Sequence, residues 1–348
     1  MGKQSNYNEH YYDGEHLSAP ILTTHSLTIG YQDTKTQQFV LHKDLDLSIF
    51  NGELVCLIGP NGAGKSTLMR TLAGLQKPLS GHSKIEGTPI KNLHPRKVAQ
   101  LLSIVLTEKI NIDNLSVFNV VSIGRHPHSN WLGRLSKQDN KIIMNALEMV
   151  SMQNFVNRNI SQLSDGEKQR VMIAKALAQD TPLILLDEPT AHLDLPNRVE
   201  IMRLLRKLAK FTNKAVLLST HELDLALQAA DSIWLMQIEE EIKSGTPEDL
   251  VLNGSFEDTF SSDAFDFDKH TGMFKMNHQK MGEIKLEGNS IRGFWTKRAL
   301  EREGYNITNN DTCEVSITVN SENWEIKTGN SLYTCNDIKE LLHQLRIV

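Results

Sequence analysis

Gly59–Thr67 reads GPNGAGKST. The spacing G-x-x-x-x-G-K-[ST] is built for holding phosphate, since glycines let consecutive backbone N–H groups turn toward it, the lysine reaches its outer oxygens, and the next hydroxyl meets the accompanying cation. Lys65 is the candidate group for the β- and γ-phosphates and Ser66 the candidate Mg2+ ligand, while Gly59, Pro60, Asn61, Gly62, Ala63, Gly64 and Thr67 complete the phosphate-binding loop. Pro182–Thr190, PLILLDEPT, ends an apolar run on two acids: Asp187, placed to hold Mg2+ through water, and Glu188, placed to polarise an attacking water. Acidic pairs at strand ends are common, and the phosphate loop upstream gives this one its chemical reading. A third segment, LSDGEKQRVMIAKALA, sets Ser164, Asp165, Gly166 and Glu167 at the start of a strong helix former. Hydroxyl, backbone N–H groups and helix dipole converge there on a second anion site, although the same pattern alone is also a plain helix cap.

These groups need a scaffold. ELVCLIG, just before the loop, is apolar without alternation, as a strand buried on both faces requires, and a helix is expected from Lys65 onward. Upstream, LSAPILTTHSLTIGY and LHKDLDLSIF alternate, with Leu45, Leu47 and Ile49 on one face, and read as half-buried antiparallel strands. From Leu93 to Asn159 the chain turns helical, with Ile143, Ala146, Leu147 and Val150 forming a core-facing stripe. PLILLDE, KAVLLST and SIWLMQ then alternate with helices, one of them with Asp194 as its cap, Pro196 in its first turn and Ile201, Leu204, Leu205 and Leu208 inward. That rhythm predicts a largely parallel sheet. Residues 261–282 break the composition and read as a linker or an irregular hairpin. Residues 283–348 form a small α+β domain: a strand around Ile284 and Leu286, a helix over Trp295–Glu303, alternating Val315, Ile317 and Val319, and a last helix marked by Ile338, Leu341, Leu342 and Leu345.

Composition narrows the classes. With 348 residues, 39% hydrophobic and 23% charged, the chain has the make-up of a globular protein of two domains, at roughly 150 residues each. A formal charge of -5 gives no field to hold nucleic acid. Cys56, Cys313 and Cys335 show neither paired nor metal-ligand spacing, which suits a reducing compartment. Residues 1–20 are a polar leader without a signal-peptide core, Asn6 breaks the myristoylation pattern, and no run approaches the roughly 20 apolar residues of a membrane span.

GPNGAGKST, then LSDGEKQR, then LLDEPT, in that order, resemble the ATPase subunits of ABC transporters over about Ile21–Phe260. The resemblance implies an α/β fold: a P-loop ABC ATPase core at residues 21–260 with an antiparallel β subdomain and a helical subdomain at about 93–180. It also implies ATP and Mg2+, and a head-to-tail pair in which each ATP lies between one copy's phosphate loop and the other's LSDGE segment. One cassette per chain points to a homodimer or a pair with a second ATPase. Tyr31 matches the aromatic that stacks on adenine, with an ordinary half-buried strand tyrosine as the alternative. Asp194 in AHLD matches the loop that crosses the interface, and His221 the switch histidine near the γ-phosphate, so that Lys65, Glu188 and His221 form the catalytic set. HELDL is not a zinc helix, because Leu225 stands where the second histidine belongs.

Ser116–Asp139, with its GRHPH, is similar to the segment after the permease-facing loop of ATPases serving ferric-siderophore, haem and cobalamin importers. That implies a peripheral subunit on the cytoplasmic face of the inner membrane, working with a permease and a substrate-binding protein. His126 and His128 read there as contact residues, too few ligands for a metal. A soluble ABC ATPase and an exporter ATPase are the alternatives; the first usually carries two cassettes or a coiled-coil insertion. One position departs from the family: in SIVLTEKI the apolar run reads as the strand leading into the permease-facing loop, and Thr107 stands at its end where Gln generally does, a threonine hydroxyl reaching Mg2+ only through water.

Overall fold

Strands whose every residue is apolar end up in the middle of a sheet. The computed structural model of the chain describes residues 19–32, 38–106, 114–129, 134–238, 240–260, 265–310 and 313–347, so Thr107 lies outside the described residues. Along the first part run β1 (Leu22–Gln32), β2 (Gln38–Leu45), β3 (Ser48–Ile49), β4 (Leu54–Ile58), α1 (Lys65–Leu72), β5 (Ser80–Ile85), β6 (Thr88–Pro89), α2 (Pro95–Leu101), β7 (Leu102–Val105), α3 (Val117–Ser122), α4 (Lys137–Met149), α5 (Asp165–Ala178), β8 (Leu183–Asp187), α6 (Leu195–Thr212), β9 (Ala215–Ser219), α7 (Leu223–Ala229), β10 (Ser232–Leu235), β11 (Lys243–Gly245) and α8 (Pro247–Leu252). β4, β8 and β9 are buried at every residue and lie inside a sheet ordered β11-β10-β4-β9-β8-β7, parallel except for β11. β2-β1-β5-β6, with β3 beside β1, form a second, antiparallel sheet in which Leu45, Leu47 and Ile49 all point inward, as the alternation predicts. Leu68, Met69 and Leu72 of α1 join one core with Leu22 and Ile29 of β1 and with Leu57, Leu185 and Leu217 of the parallel sheet. The helix that follows the phosphate loop is thereby held between two sheets.

α3, α4 and α5 pack on one another, with Ile143, Ala146, Leu147 and Val150 buried as their spacing requires. Within the stretch that turns helical from residue 93, the apolar run SIV is the strand expected there: β7 pairs with β8 and extends the parallel sheet. In α6, Asp194 accepts a hydrogen bond from the N–H of Asn197 at 3.1 Å, and Ile201, Leu205 and Leu208 are buried; Leu204 is only partly covered, and Met202 is buried beside them. Ile123–His128, a 3-10 turn that holds all of GRHPH, is pinned to α5: a Cβ on Gly124 would meet the Lys175 carbonyl oxygen at 2.3 Å, and His128 Nε2 donates to the Gln179 carbonyl at 2.8 Å. Buried Arg125 donates to the Ala178 carbonyl and to Asp139 Oδ1, both at 2.8 Å.

The Asp139 carboxyl is held down at about 2, first by its hydrogen bonds from the Ser136 hydroxyl and N–H and then by Arg125. A depressed carboxylate contributes stability that is complete above its unfolded value of 3.8 and is lost as pH falls toward 2. Asp139→Asn is expected to cost roughly 2 kcal/mol at neutral pH and to flatten the stability profile in that acid window, read by urea unfolding between those pH values. An unchanged acid slope in the variant would refute the assignment.

Contacts divide the chain between Ser255 and Phe256, somewhat before the expected boundary at Phe260. The reason is aromatic: in α9 (Ser255–Phe260), Phe256 stacks on Phe267 with ring centroids 5.6 Å apart, and Phe260 meets Phe274 edge-on at 5.8 Å. Those partners sit on a two-stranded hairpin in regular register, β12 (Phe265–Asp268) and β13 (Met273–Met276), the hairpin of the two alternatives the sequence left open. The rest of the second unit comprises β14 (Gly282–Glu287), α10 (Ile291–Arg302), β15 (Tyr305–Thr308), β16 (Val315–Val319), β17 (Trp324–Thr328), β18 (Ser331–Cys335) and α11 (Ile338–Leu345). Its sheet runs β15-β14-β16-β17-β18, with β14 parallel to both neighbours and the remainder antiparallel. α10 begins at Ile291, a turn earlier than expected, because the Ser290 hydroxyl caps it by accepting the Gly293 N–H at 3.2 Å. Ile284, Leu300, Ile317, Ile326 and Leu341 form a core of their own.

Candidate active site

Backbone geometry prepares the loop between β4 and α1 for an anion. Gly62 and Gly64 have φ of 85° and 98°, a region that L side chains avoid, and Gly64, the residue before α1, leaves the first N–H groups of that helix uncapped by any side chain. Gly59 is required for another reason: a Cβ there would lie 2.2 Å from the Met236 carbonyl oxygen. Lys65 folds back so that Nζ donates to the carbonyls of Gly59 at 2.8 Å and Pro60 at 3.1 Å, curling the loop around its own cation. Burial lowers the pKa of that amine, and the charges of Glu188 and Asp187 oppose the effect. Buried His42 clamps the loop from behind, its Nε2 2.8 Å from the Ala63 carbonyl and its Nδ1 2.9 Å from that of Glu240.

The acids stand at the end of β8, one strand from β4. Ser66 Oγ donates to Asp187 Oδ1 at 3.3 Å, joining the helix start to the acid strand. Ser219 then fixes both acids: its hydroxyl donates to Asp187 Oδ1 at 2.6 Å and accepts the Glu188 N–H at 2.9 Å. Glu188 has φ of 49°, a conformation that costs a non-glycine residue about 1 kcal/mol or more, and the Ser219 bond helps to hold it there. His221 Nε2 donates to Glu188 Oε1 at 2.7 Å. Lys65, Ser66, Asp187, Glu188 and His221, picked from three separate segments, thus share one polar cluster, in which a carboxylate oriented by an imidazole can polarise water beside a phosphate cradle.

Tyr31, near the end of β1, is 52% exposed, and its hydroxyl lies 2.5 Å from Thr67 Oγ1, so an open ring face stands beside the helix that begins at the loop. Ser164 and Glu167 form a capping box at the start of α5, Ser164 Oγ accepting the Glu167 N–H at 3.3 Å and the Glu167 carboxylate accepting the Ser164 N–H at 2.8 Å. Asp165 stands in that first turn, 3.4 Å from Lys168 Nζ. Gly166 is pressed on α6, where a Cβ would come within 2.9 Å of Asn197 Oδ1, and Asn197 Nδ2 donates to Asp194 Oδ1 at 2.7 Å. The 164–167 segment and Asp194 are therefore joined to each other, while among the described residues no hydrogen bond ties either to the phosphate loop.

Sequence reasoning missed Ser219 and His42. For Ser219 a signal existed: KAVLLST ends on hydroxyls, and the parallel register sets Ser219 directly beside Asp187. His42 offered none, since its partners lie 21 and 198 residues away. Ser219→Ala is expected to lower kcat for nucleotide hydrolysis roughly tenfold with little change in KM, the effect of removing one buried hydrogen-bonding group. A rise confined to KM would contradict the positioning role.

Over 266 residues the chain is 36% identical to an uncharacterized ABC transporter ATP-binding protein of Methanocaldococcus jannaschii, spanning 76% of this chain and 90% of that one. The chain belongs to the ABC transporter ATP-binding family. Residues 42–191 match the ABC transporter family itself, and residues 281–346 match the iron ABC transporter C-terminal domain. An iron(3+)-hydroxamate import ATP-binding protein of Bacillus subtilis is 37% identical over 243 residues, 70% of this chain and 88% of its own. The dimeric structure of a bacterial ABC transporter cassette superposes with a TM-score of 0.56 at 27% identity, over 65% of this chain and 98% of that one. The cassette is an ABC-type ATPase that binds nucleotide. Among the described residues no helix is long and apolar enough to cross a membrane.

Proposed function

We propose that this ATPase powers an importer for an iron complex, a ferric siderophore or haem, with cobalamin as the other member of the same substrate group. The match of residues 281–346 to the iron ABC transporter C-terminal domain carries this reading, and the iron(3+)-hydroxamate import relative supports it. Two copies close head to tail on two ATP molecules, Lys65 and the uncapped start of α1 receiving the β- and γ-phosphates of one copy while Ser164 and Gly166 of the other approach from the far side. Glu188 accepts a proton from the attacking water, and His221, bonded to its carboxylate, orients it. The oxygens of Ser66 and Asp187, 3.3 Å apart, suit Mg2+, a hard cation that takes few protein ligands and keeps water and phosphate for the rest; when bound it offsets charge on the transferring phosphoryl group. Tyr31 stacks on the adenine, and the GRHPH turn, with His126 and His128 exposed, lies near the permease. The subunit thus sits at the cytoplasmic face of the membrane, held there by the permease.

ATP hydrolysis and uptake, measured with the neighbouring permease and binding protein in vesicles, test the reading. Hydrolysis stimulated by a ferric hydroxamate and matched by its uptake is expected. Full activity without the permease, or stimulation by an outward-moving substrate, would replace it with the soluble or exporter alternative.

A further inference from the structure

The second unit carries a cleft of about 1260 Å3 between the β12–β13 hairpin and the outer face of α10. Its walls follow from the helix pattern. Gly293, Thr296, Ala299 and Leu300 turn inward to the sheet, so the residues between them must face out. Those residues are Phe294 and Trp295, 56% and 53% exposed, with Arg298 and Arg302 one and two turns farther along. Two adjacent aromatic rings left open on a helix are unusual for a face that meets only water.

Charge in the cleft is unbalanced. Five lysine and arginine side chains line it against three carboxylates. Asp268 is already committed, paired with Lys275 at 2.6 Å and accepting the His270 N–H at 2.9 Å, and its pKa is driven far below the carboxylate range by those bonds. Glu301 lies 3.9 Å from Lys297. Arg298 makes no ion pair among the described residues and instead sets its guanidinium 5.4 Å from the Trp295 ring centroid, and Lys280, in the stretch between β13 and β14 that also lines the cleft, likewise has no carboxylate partner among the described residues. Phe294 and Trp295 meet edge to face, their rings 86° apart with centroids 5.7 Å apart, so they form an apolar corner edged by available cations. Such a corner recognises one chemistry: a ring system carrying negative charge, its face on Trp295, its rim against Phe294 and its anionic group drawn to Arg298 and Lys280. The volume admits a molecule of drug size or somewhat larger.

We infer that the C-terminal unit is a binding site for an anionic aromatic small molecule, separate from the nucleotide site. The test uses the full chain with excess ADP, so that the nucleotide site is blocked, and the fluorescent probe 8-anilino-1-naphthalenesulfonate. One probe per chain is expected to bind. Arg298→Gln combined with Lys280→Gln should weaken its affinity by about tenfold, and Trp295→Ala by a similar factor, while the ATPase rate stays at the parent value. Both sites are exposed, so these variants keep the fold, which the parent melting temperature checks. N-phenyl-1-naphthylamine, the uncharged analogue, should bind more weakly and ignore the double substitution. Equal binding of probe and analogue, or probe affinity untouched by all three substitutions, overturns the site.

Discussion

Glu188→Gln is expected to lower the ATPase rate by at least about a hundredfold while nucleotide affinity stays near the parent value. The amide keeps the size and the hydrogen bond to His221, whose Nε2 lies 2.7 Å from Glu188 Oε1, but it no longer accepts a proton from water. Because ATP then binds without being consumed, the pair of cassettes should accumulate closed, visible as a stable dimer on gel filtration with ATP and Mg2+. The acid is already held at φ of 49° by the Ser219 bond, so the substitution changes the chemistry and leaves the backbone where it was. Near-normal steady-state turnover in this variant would remove Glu188 from the role of general base.

Lys65→Ala acts one step earlier. Nζ is satisfied by the carbonyls of Gly59 and Pro60, and burial lowers its pKa, so the amine costs desolvation that only a phosphate repays in full. Its loss is expected to reduce ATP affinity by about a hundredfold or more while the melting temperature without nucleotide changes little. Titration with a fluorescent ATP analogue measures the first and thermal unfolding the second. An affinity within about threefold of the parent would mean that the backbone N–H groups carry the phosphates alone.

What the sequence made legible is what local physics decides. The uninterrupted apolar runs of β4, β8 and β9 announce buried parallel strands, GPNGAGKST brings its own geometry, and the stripe Ile143, Ala146, Leu147, Val150 predicts a face that is indeed covered. What escaped depends on partners far along the chain. β7 is legible as a short apolar run, but its place beside β8 is a matter of strand order, which no window of residues contains. The segment at 265–276 leaves linker and irregular hairpin undecided, since its phenylalanines alternate with charged residues; Phe256 and Phe260 supply the cover that turns that alternation into regular strands. Ile291–Phe294 falls outside the expected helix with Gly293 in its midst, yet glycine is needed there, as a Cβ would strike the Gly288 carbonyl oxygen at 2.0 Å. Ser219 and His42 belong to the same class, polar groups whose meaning lies across a sheet.

α5 is gripped at both ends. Gly124, Arg125 and His128 hold its last turn, and Gly166 presses its first turn onto α6. Its 14 residues span about 21 Å without a proline or an interior glycine beyond Gly166, so it behaves as a strut under load. A force applied at GRHPH arrives at Ser164 as displacement rather than being absorbed in bending, and the compliance of this single helix sets how much of a push at one face is delivered to the other.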